Sequence, residues 1–244
     1  MITNTELHDL GNQFPNEVVE FKKEVDKLYF KTKNNIILEL SILRDSVLRF
    51  RFGTRGQLEP DFSYAISKQS IKGYNKLEVS EDVENYIIST SKLVCKIEKQ
   101  SLQHKIYDTE GHLINEDELG YHYEEFYEKG GDVVKMSKKT QEKEAFYGMG
   151  DKPMHLNLRG KRLQNWPTDE YAFGKDKDPI YKAVPFYIGL HHQQAYGIFL
   201  DNSFKTYFDF SHERHDVTSF WAQGGEMNYY FIYGPNMEDV VTNY

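Results

Sequence analysis

From Asp26 onward, apolar and polar residues alternate with period two. Ile36, Leu38, Leu40 and Ile42 point one way, while Glu39 and Ser41 point the other. Asn34-Asn35, just ahead of that run, makes a turn. After Arg44-Asp45, Leu48, Phe50 and Phe52 alternate with Val47, Arg49 and Arg51. The pattern predicts a meander of half-buried antiparallel strands. Tyr86-Ile87-Ile88 with Leu93–Ile97 reads as a hairpin. So does His104–Tyr107 with His112–Ile114, turning at Asp108-Thr109-Glu110-Gly111. Further strands are predicted at Phe186–Leu190, Tyr196–Leu200, Lys205–Phe210 and Asn228–Tyr233, and Glu17–Phe21 reads as a short edge strand. Strands and turns at this spacing predict an all-β fold, an antiparallel β-sandwich.

Other stretches are less regular. Residues 1–25 form a poorly defined, polar N-terminal segment. Residues 53–80 are mixed, with turn signals at Gly53, Gly56, Pro60 and Gly73. Residues 115–145 are the least legible: Glu116-Asp117-Glu118 and Glu124-Glu125 are acidic and Gly130-Gly131 breaks the chain. Lys135 to Lys143 reads as a solvated strand or hairpin face. At the end the period changes. Asn236 is placed as a helix N-cap, acids follow in the first turn, and Val240, Val241 and Tyr244 share a helical face. So short a helix cannot bury that stripe alone. Residues 235–244 are therefore read as the start of a linker helix towards a further domain. No repeat or low-complexity linker divides 1–244, which is expected to be a single domain.

Composition narrows the classes. The chain has 244 residues, of which 15% are aromatic, with 18 Tyr and 16 Phe. That suits strands and sugar-facing surfaces alike. A formal net charge of −8 disfavours a nucleic-acid partner, because phosphates need basic patches. Cys95 is the only cysteine, so neither a disulfide nor a cysteine zinc site forms within one chain. The opening Met1–Leu10 shows neither the basic nor the apolar region of a signal peptide, and no apolar run approaches the ~20 residues of a membrane helix, so no membrane partner is expected. The compartment stays open.

One stretch, Phe146 to Phe186, combines turn, basic and aromatic signals. Gly148-Met149-Gly150 makes a turn ahead of Asp151. Leu158-Arg159-Gly160-Lys161-Arg162 is strand-like, and Asn165-Trp166-Pro167-Thr168-Asp169-Glu170-Tyr171 is a polar, aromatic loop. Long loops in compact domains are usually functional or disordered, and bulky aromatics argue against disorder. Aromatics beside a carboxylate are what a sugar needs: a face for C–H groups and an acceptor for hydroxyls.

The order of motifs resembles the N-terminal domain of the family 31 glycoside hydrolases, the α-glucosidase family. Tyr147–Asp151, Leu158–Arg162, Trp166–Tyr171, Asp178–Phe186 and Ala195–Asn202 follow the family's order, and Gly224–Pro235 matches a later element. The resemblance implies a galactose-mutarotase-like sandwich preceding a (β/α)8 barrel that carries the catalytic aspartates. No catalytic residue, metal or cofactor is assigned to this chain. The resemblance also implies that Asp169 contacts sugar hydroxyls at the leaving-group side. The alternative for Asp169 is a turn aspartate capping its own backbone. Trp166 and Tyr171 are evenly balanced between supporting the loop and stacking on sugar. Pro167 stands where many relatives carry Asn, and Asp151 where they carry Glu. Asp151 is expected to bond turn amides.

Three readings of function stand. The first is the N-terminal domain of an α-glucosidase-like retaining hydrolase, acting on α-linked glucosides or oligosaccharides and packed on its own C-terminal barrel. The second is a stand-alone sugar-binding or mutarotase module; a mutarotase needs His and Glu converging in a cleft, which spacing does not show. The third is a structural interaction sandwich. Arg159 and Arg162 are expected to pair with acids across the sheet. His191-His192 and His212–His215 are read as surface histidines rather than metal ligands.

Overall fold

The computed structural model describes residues 11–67, 73–74, 76–125 and 131–244. The start at residues 1–10 and the break assigned to Gly130 lie outside them. With strands numbered along the chain, two antiparallel sheets face each other. One orders as β12 (Ala145–Gly150), β14 (Ala183–His191), β15 (Gln194–Leu200), β18 (Met227–Gly234), β5 (Val47–Gly53), β4 (Ile37–Arg44), β3 (Lys27–Thr32) and β2 (Val18–Lys23). The other orders as β13 (Lys161–Asn165), β16 (Thr206–Phe210), β17 (Val217–Ala222), β11 (Val133–Lys139), β10 (Leu113–Glu124), β9 (His104–Asp108), β8 (Leu93–Glu98), β7 (Asn85–Ser89) and β6 (Glu78–Glu81). A short β1 (Asn12–Gln13) pairs with β10. A helix, α1 (Met237–Asn243), follows β18. The expected sandwich is the fold, and the expected hairpins are β7–β8 and β9–β10.

The alternation explains the core. Phe30 opposes Leu38 and Leu40 opposes Phe50, all inward and buried. Ile97, Ile106, Met136, Phe208 and Phe220 meet them from the ten-stranded sheet. Each such side chain contributes roughly 1.5–3 kcal/mol on burial. The middle of the eight-stranded sheet is also buried on its outer side. There Val47, Phe186, Phe199, Tyr230 and Ile232 form a second cluster with Val240 of α1. Burial on both faces accounts for the aromatic and apolar run Tyr229–Tyr233 of β18.

Asn236 caps α1 as expected, its side chain accepting from Asp239 N at 2.9 Å. Part of the helical stripe finds a partner within the chain, while Val241 stays exposed. Val240 is fully buried in the second cluster and Tyr244 stacks on Phe186 with centroids 4.0 Å apart. The helix is short, but a ready-made apolar sheet face receives it.

Four sequence expectations are corrected. Lys138 is buried at 1% exposure rather than solvated, because β11 turns it inward onto Asp117. His191 is 4% exposed, its Nε2 hydrogen-bonded at 2.8 Å to Ile114 O, whereas His192, His212 and His215 are exposed. Strand β13 begins only at Lys161, since Gly160 takes φ +80 in a turn. Arg159, on that turn, donates to the carbonyls of Glu144 (2.7 Å) and Gln141 (3.2 Å) instead of to an acid. Arg162 has a distant acidic partner, Glu213 at 3.9 Å.

Candidate functional site

Residues 166–182 leave β13 in one sheet and enter β14 in the other. The loop therefore bridges the two layers at one end of the sandwich. Its feet are locked. Lys152 ion-pairs with Asp178, with both side chains largely buried, and donates to Gln164 O at 3.0 Å. Asp178 also accepts from Gln164 N at 2.6 Å. Thr168 N donates to Ile180 O at 3.2 Å, and Ile180 is buried. Gly150, at φ +78, lets β12 approach the loop's end: a Cβ there would lie 2.7 Å from Lys182 O. Farther out, Tyr181 donates to Glu170 O at 2.6 Å, Lys177 pairs with Glu170 at 3.2 Å, and Phe173 meets Tyr181 edge to face.

Between these ties the predicted residues are presented outward. Asp169 is exposed, and among the described residues its carboxylate has no hydrogen-bond or ionic partner. It does not cap its own turn. Trp166 is 49% exposed and Tyr171 is 94% exposed, so Tyr171 buries little surface among the described residues. Beneath them Asn165 is buried, and neither polar atom of its side-chain amide has a partner among the described residues. Asp151 is exposed and, among the described residues, accepts no turn amide.

The loop's exit, Ala183–Pro185, lines a groove of about 600 Å³ on the outer side of the eight-stranded sheet. Phe62, Tyr64, Phe199, Phe204 and Tyr244 add apolar walls. Its polar floor is fixed by Arg51 paired with Glu226 (2.7 Å), while Arg49 pairs with Asp61 (2.8 Å) and Asn228 (2.9 Å) nearby. The displayed loop and the apolar groove thus share one end of the molecule.

Residues 37–209 match the family described as the glycosyl hydrolase 31 N-terminal galactose mutarotase-like domain. The chain belongs to this family. It is 30% identical over 212 residues to Alpha-glucosidase 2 of Bacillus thermoamyloliquefaciens, covering 85% of this chain and 26% of that relative. It is 26% identical over 222 residues to an isomaltosyltransferase of Sporosarcina globispora, of which it spans 19%. Among solved structures it is similar to a Flavobacterium johnsoniae GH31 dextranase complexed with isomaltotriose. There the TM-score is 0.86 at 28% identity, over 95% of this chain and 28% of that one. The chain therefore spans about a quarter of the length of the relatives it matches.

Elsewhere, this family 31 domain brings together groups that sequence spacing hid. His104, Asp117, Lys138 and Tyr229 meet between the sheets. The cluster is sealed in the core, so it is no sugar site. Among the described residues, Asp108, Glu110 and His112 form the one group with metal-ligand spacing; Asp108 is already bonded to His112 (2.9 Å) and Gln194 (2.8 Å). No helix among the described residues is long and apolar enough to cross a membrane.

Proposed function

We propose that this domain is the N-terminal part of an α-glucosidase-type retaining glycoside hydrolase acting on α-linked glucosides or oligosaccharides. The outer face of its eight-stranded sheet, with α1 and the groove at Tyr244, packs on a catalytic (β/α)8 barrel. Loop 166–182 lends Asp169 to bound substrate as an acceptor for sugar hydroxyls. Trp166 and Tyr171 flank it as apolar surface. The bond-breaking carboxyl pair belongs to the barrel.

One observation carries the reading. Asp169 is an unpartnered carboxylate held on a loop whose two feet are pinned by buried contacts. A rigid base with a free acceptor is what substrate positioning requires. The names of the relatives, an α-glucosidase, an isomaltosyltransferase and a dextranase with bound isomaltotriose, agree with it.

The test is Asp169→Ala in the longer parent protein. A lost charged hydrogen bond is worth about 1.5–3 kcal/mol, so kcat/KM on α-glucosides should fall roughly 10- to 150-fold with the melting curve unchanged. Unchanged kinetics on every α-glucoside and oligosaccharide tried would remove Asp169 from the site. The competing reading, a structural interaction sandwich, rests on the exposed Phe62, Tyr64 and Tyr171. It predicts partner loss without any kinetic change.

A further inference from the structure

The outer face of the ten-stranded sheet carries a hollow of about 780 Å³ that the Asp169 loop does not touch. Register places its floor. Arg162 opposes Asp209, Asp209 opposes Ser219, and Ser219 opposes Ser137. In the next row Lys135 opposes His122. Loop 166–182 leaves from Asn165, which opposes Thr206. Asp209 lies three residues away along β16, roughly 10 Å, and the turn at 211–216 closes the far end.

Asp209 is the anomaly. It faces the hollow yet is 3% exposed. Its Oδ1 accepts from His212 N (2.8 Å) and Glu213 N (3.4 Å), while Oδ2 has no partner among the described residues. Such a group in a native protein calls for an explanation. Glu118 repeats the pattern beside it: Oε1 accepts from Arg214 at 2.7 Å and Oε2 is unpartnered. A register shift between Asp117 and Gly120 carries Glu118 and Leu119 out to this wall, as bulges often do beside binding sites. His122 is stacked on Phe14 with Nδ1 at 3.2 Å from Gly120 O. Burial and the nearby Lys135 push it down to about 4, so it is neutral and its Nε2 is an acceptor.

We propose that this hollow binds a neutral saccharide, with sugar hydroxyls donating to Asp209, Glu118 and His122 and accepting from Ser137, Ser219 and Lys135. The charges select against an anion, since Glu118, Asp209, Glu213 and Asp216 all line the hollow. The cations are already engaged, Arg214 by Glu118 and Asp216 and Lys135 by Glu124. Free acceptors beside hydroxyl donors are what a polyol satisfies. The ligand class rests on this inventory and is independent of the role given to Asp169.

The experiment is a titration of the isotope-labelled 244-residue chain with isomaltotriose and with maltotriose, followed by amide NMR shifts. Saturable shifts at Lys135, Ser137 and Ser219 are expected. Asp209→Asn keeps an oxygen for the 211–216 turn but removes an acceptor, and Ser219→Leu fills the floor. Each should weaken binding roughly tenfold or more, with dispersed spectra showing an intact fold, while Asp169→Ala leaves it unchanged. Three outcomes overturn the proposal: no saturable shift at these amides, shifts confined to 166–182, or undiminished affinity in both hollow variants.

Discussion

Lys138 ion-pairs with Asp117 at 2.6 Å in the core between the two sheets, with each side chain about 1% exposed. Asp117 also faces His104 Nδ1 at 2.9 Å, and Tyr229 donates its hydroxyl to His104 Nε2 at 2.6 Å. Phe50 stacks on the imidazole. Burial pushes the Asp117 carboxyl up, but His104 and Lys138 outweigh it and hold it at about 2. Asp117→Ala strands a buried ammonium and should cost about 3–5 kcal/mol in urea unfolding. The double change Asp117→Leu with Lys138→Met should recover most of that loss. A single-variant cost below about 1 kcal/mol would show that the buried pair contributes little to the fold.

Glu144 makes stability fall as pH rises. Burial pushes its carboxyl up to about 7, although Tyr196 donates to it at 2.6 Å and Gln141 N at 2.7 Å, with Tyr187 and Arg159 nearby. The folded value lies above the ordinary 4.5, so the folded state holds the proton more tightly. Its contribution is therefore fully present below about 4.5 and lost as pH rises through about 7. The gap corresponds to about 3 kcal/mol. His122, held low at about 4, acts the other way as pH falls below its ordinary 6.5. The difference between wild type and Glu144→Gln isolates the glutamate: it should grow between pH 5 and 7.5 in denaturant midpoints. A flat difference would mean that Glu144 titrates as it does in water.

The isolated chain should not turn over a chromogenic α-glucoside. The proposed nucleophile and acid/base lie in the barrel, and no carboxyl pair is assigned here. Clear hydrolysis by pure protein, surviving an active-site-directed check for contaminating enzyme, would overturn that placement.

Lys152 gives a way to perturb the loop without touching Asp169. Lys152→Met removes the Asp178 partner and the hydrogen bond to Gln164 O. The parent enzyme should lose activity, and the 166–182 amides should exchange faster with solvent. Normal kinetics together with faster exchange would show that the pinned feet are not needed for positioning.

The period-two strands β4 and β5, the capped α1 and the edge strand β2 were legible because each follows local rules. Residues 115–145 were not, because β10 and β11 bury charge. Asp117 and Lys138 read as surface residues until the fold makes them an inward-facing pair on neighbouring strands, β10 and β11. His191 misled for the same reason, its buried nitrogen satisfied by a carbonyl 77 residues away. The loop carrying Asp169 was found from motif order. The hollow at Asp209 was invisible, because its floor comes from β10, β11, β16 and β17 and exists only once they are in register.

The excursion at Glu118-Leu119 imposes an arithmetic on strand β10. Asp117 opposes Lys138 and Gly120 opposes Ser137, so three steps on one strand match one on its neighbour. Two extra residues preserve the side-to-side parity that sends Tyr121 and Tyr123 into the core and His122 outward. Loss of either residue alone would turn that segment inside out, exporting two tyrosines and importing an imidazole. Loss of both would restore a plain ladder with every later side chain on its proper face. Insertions and deletions here are thus permitted in pairs and forbidden singly. Through lengths that change by two, lineages of this fold have a route for opening or closing the hollow without rebuilding the sheet.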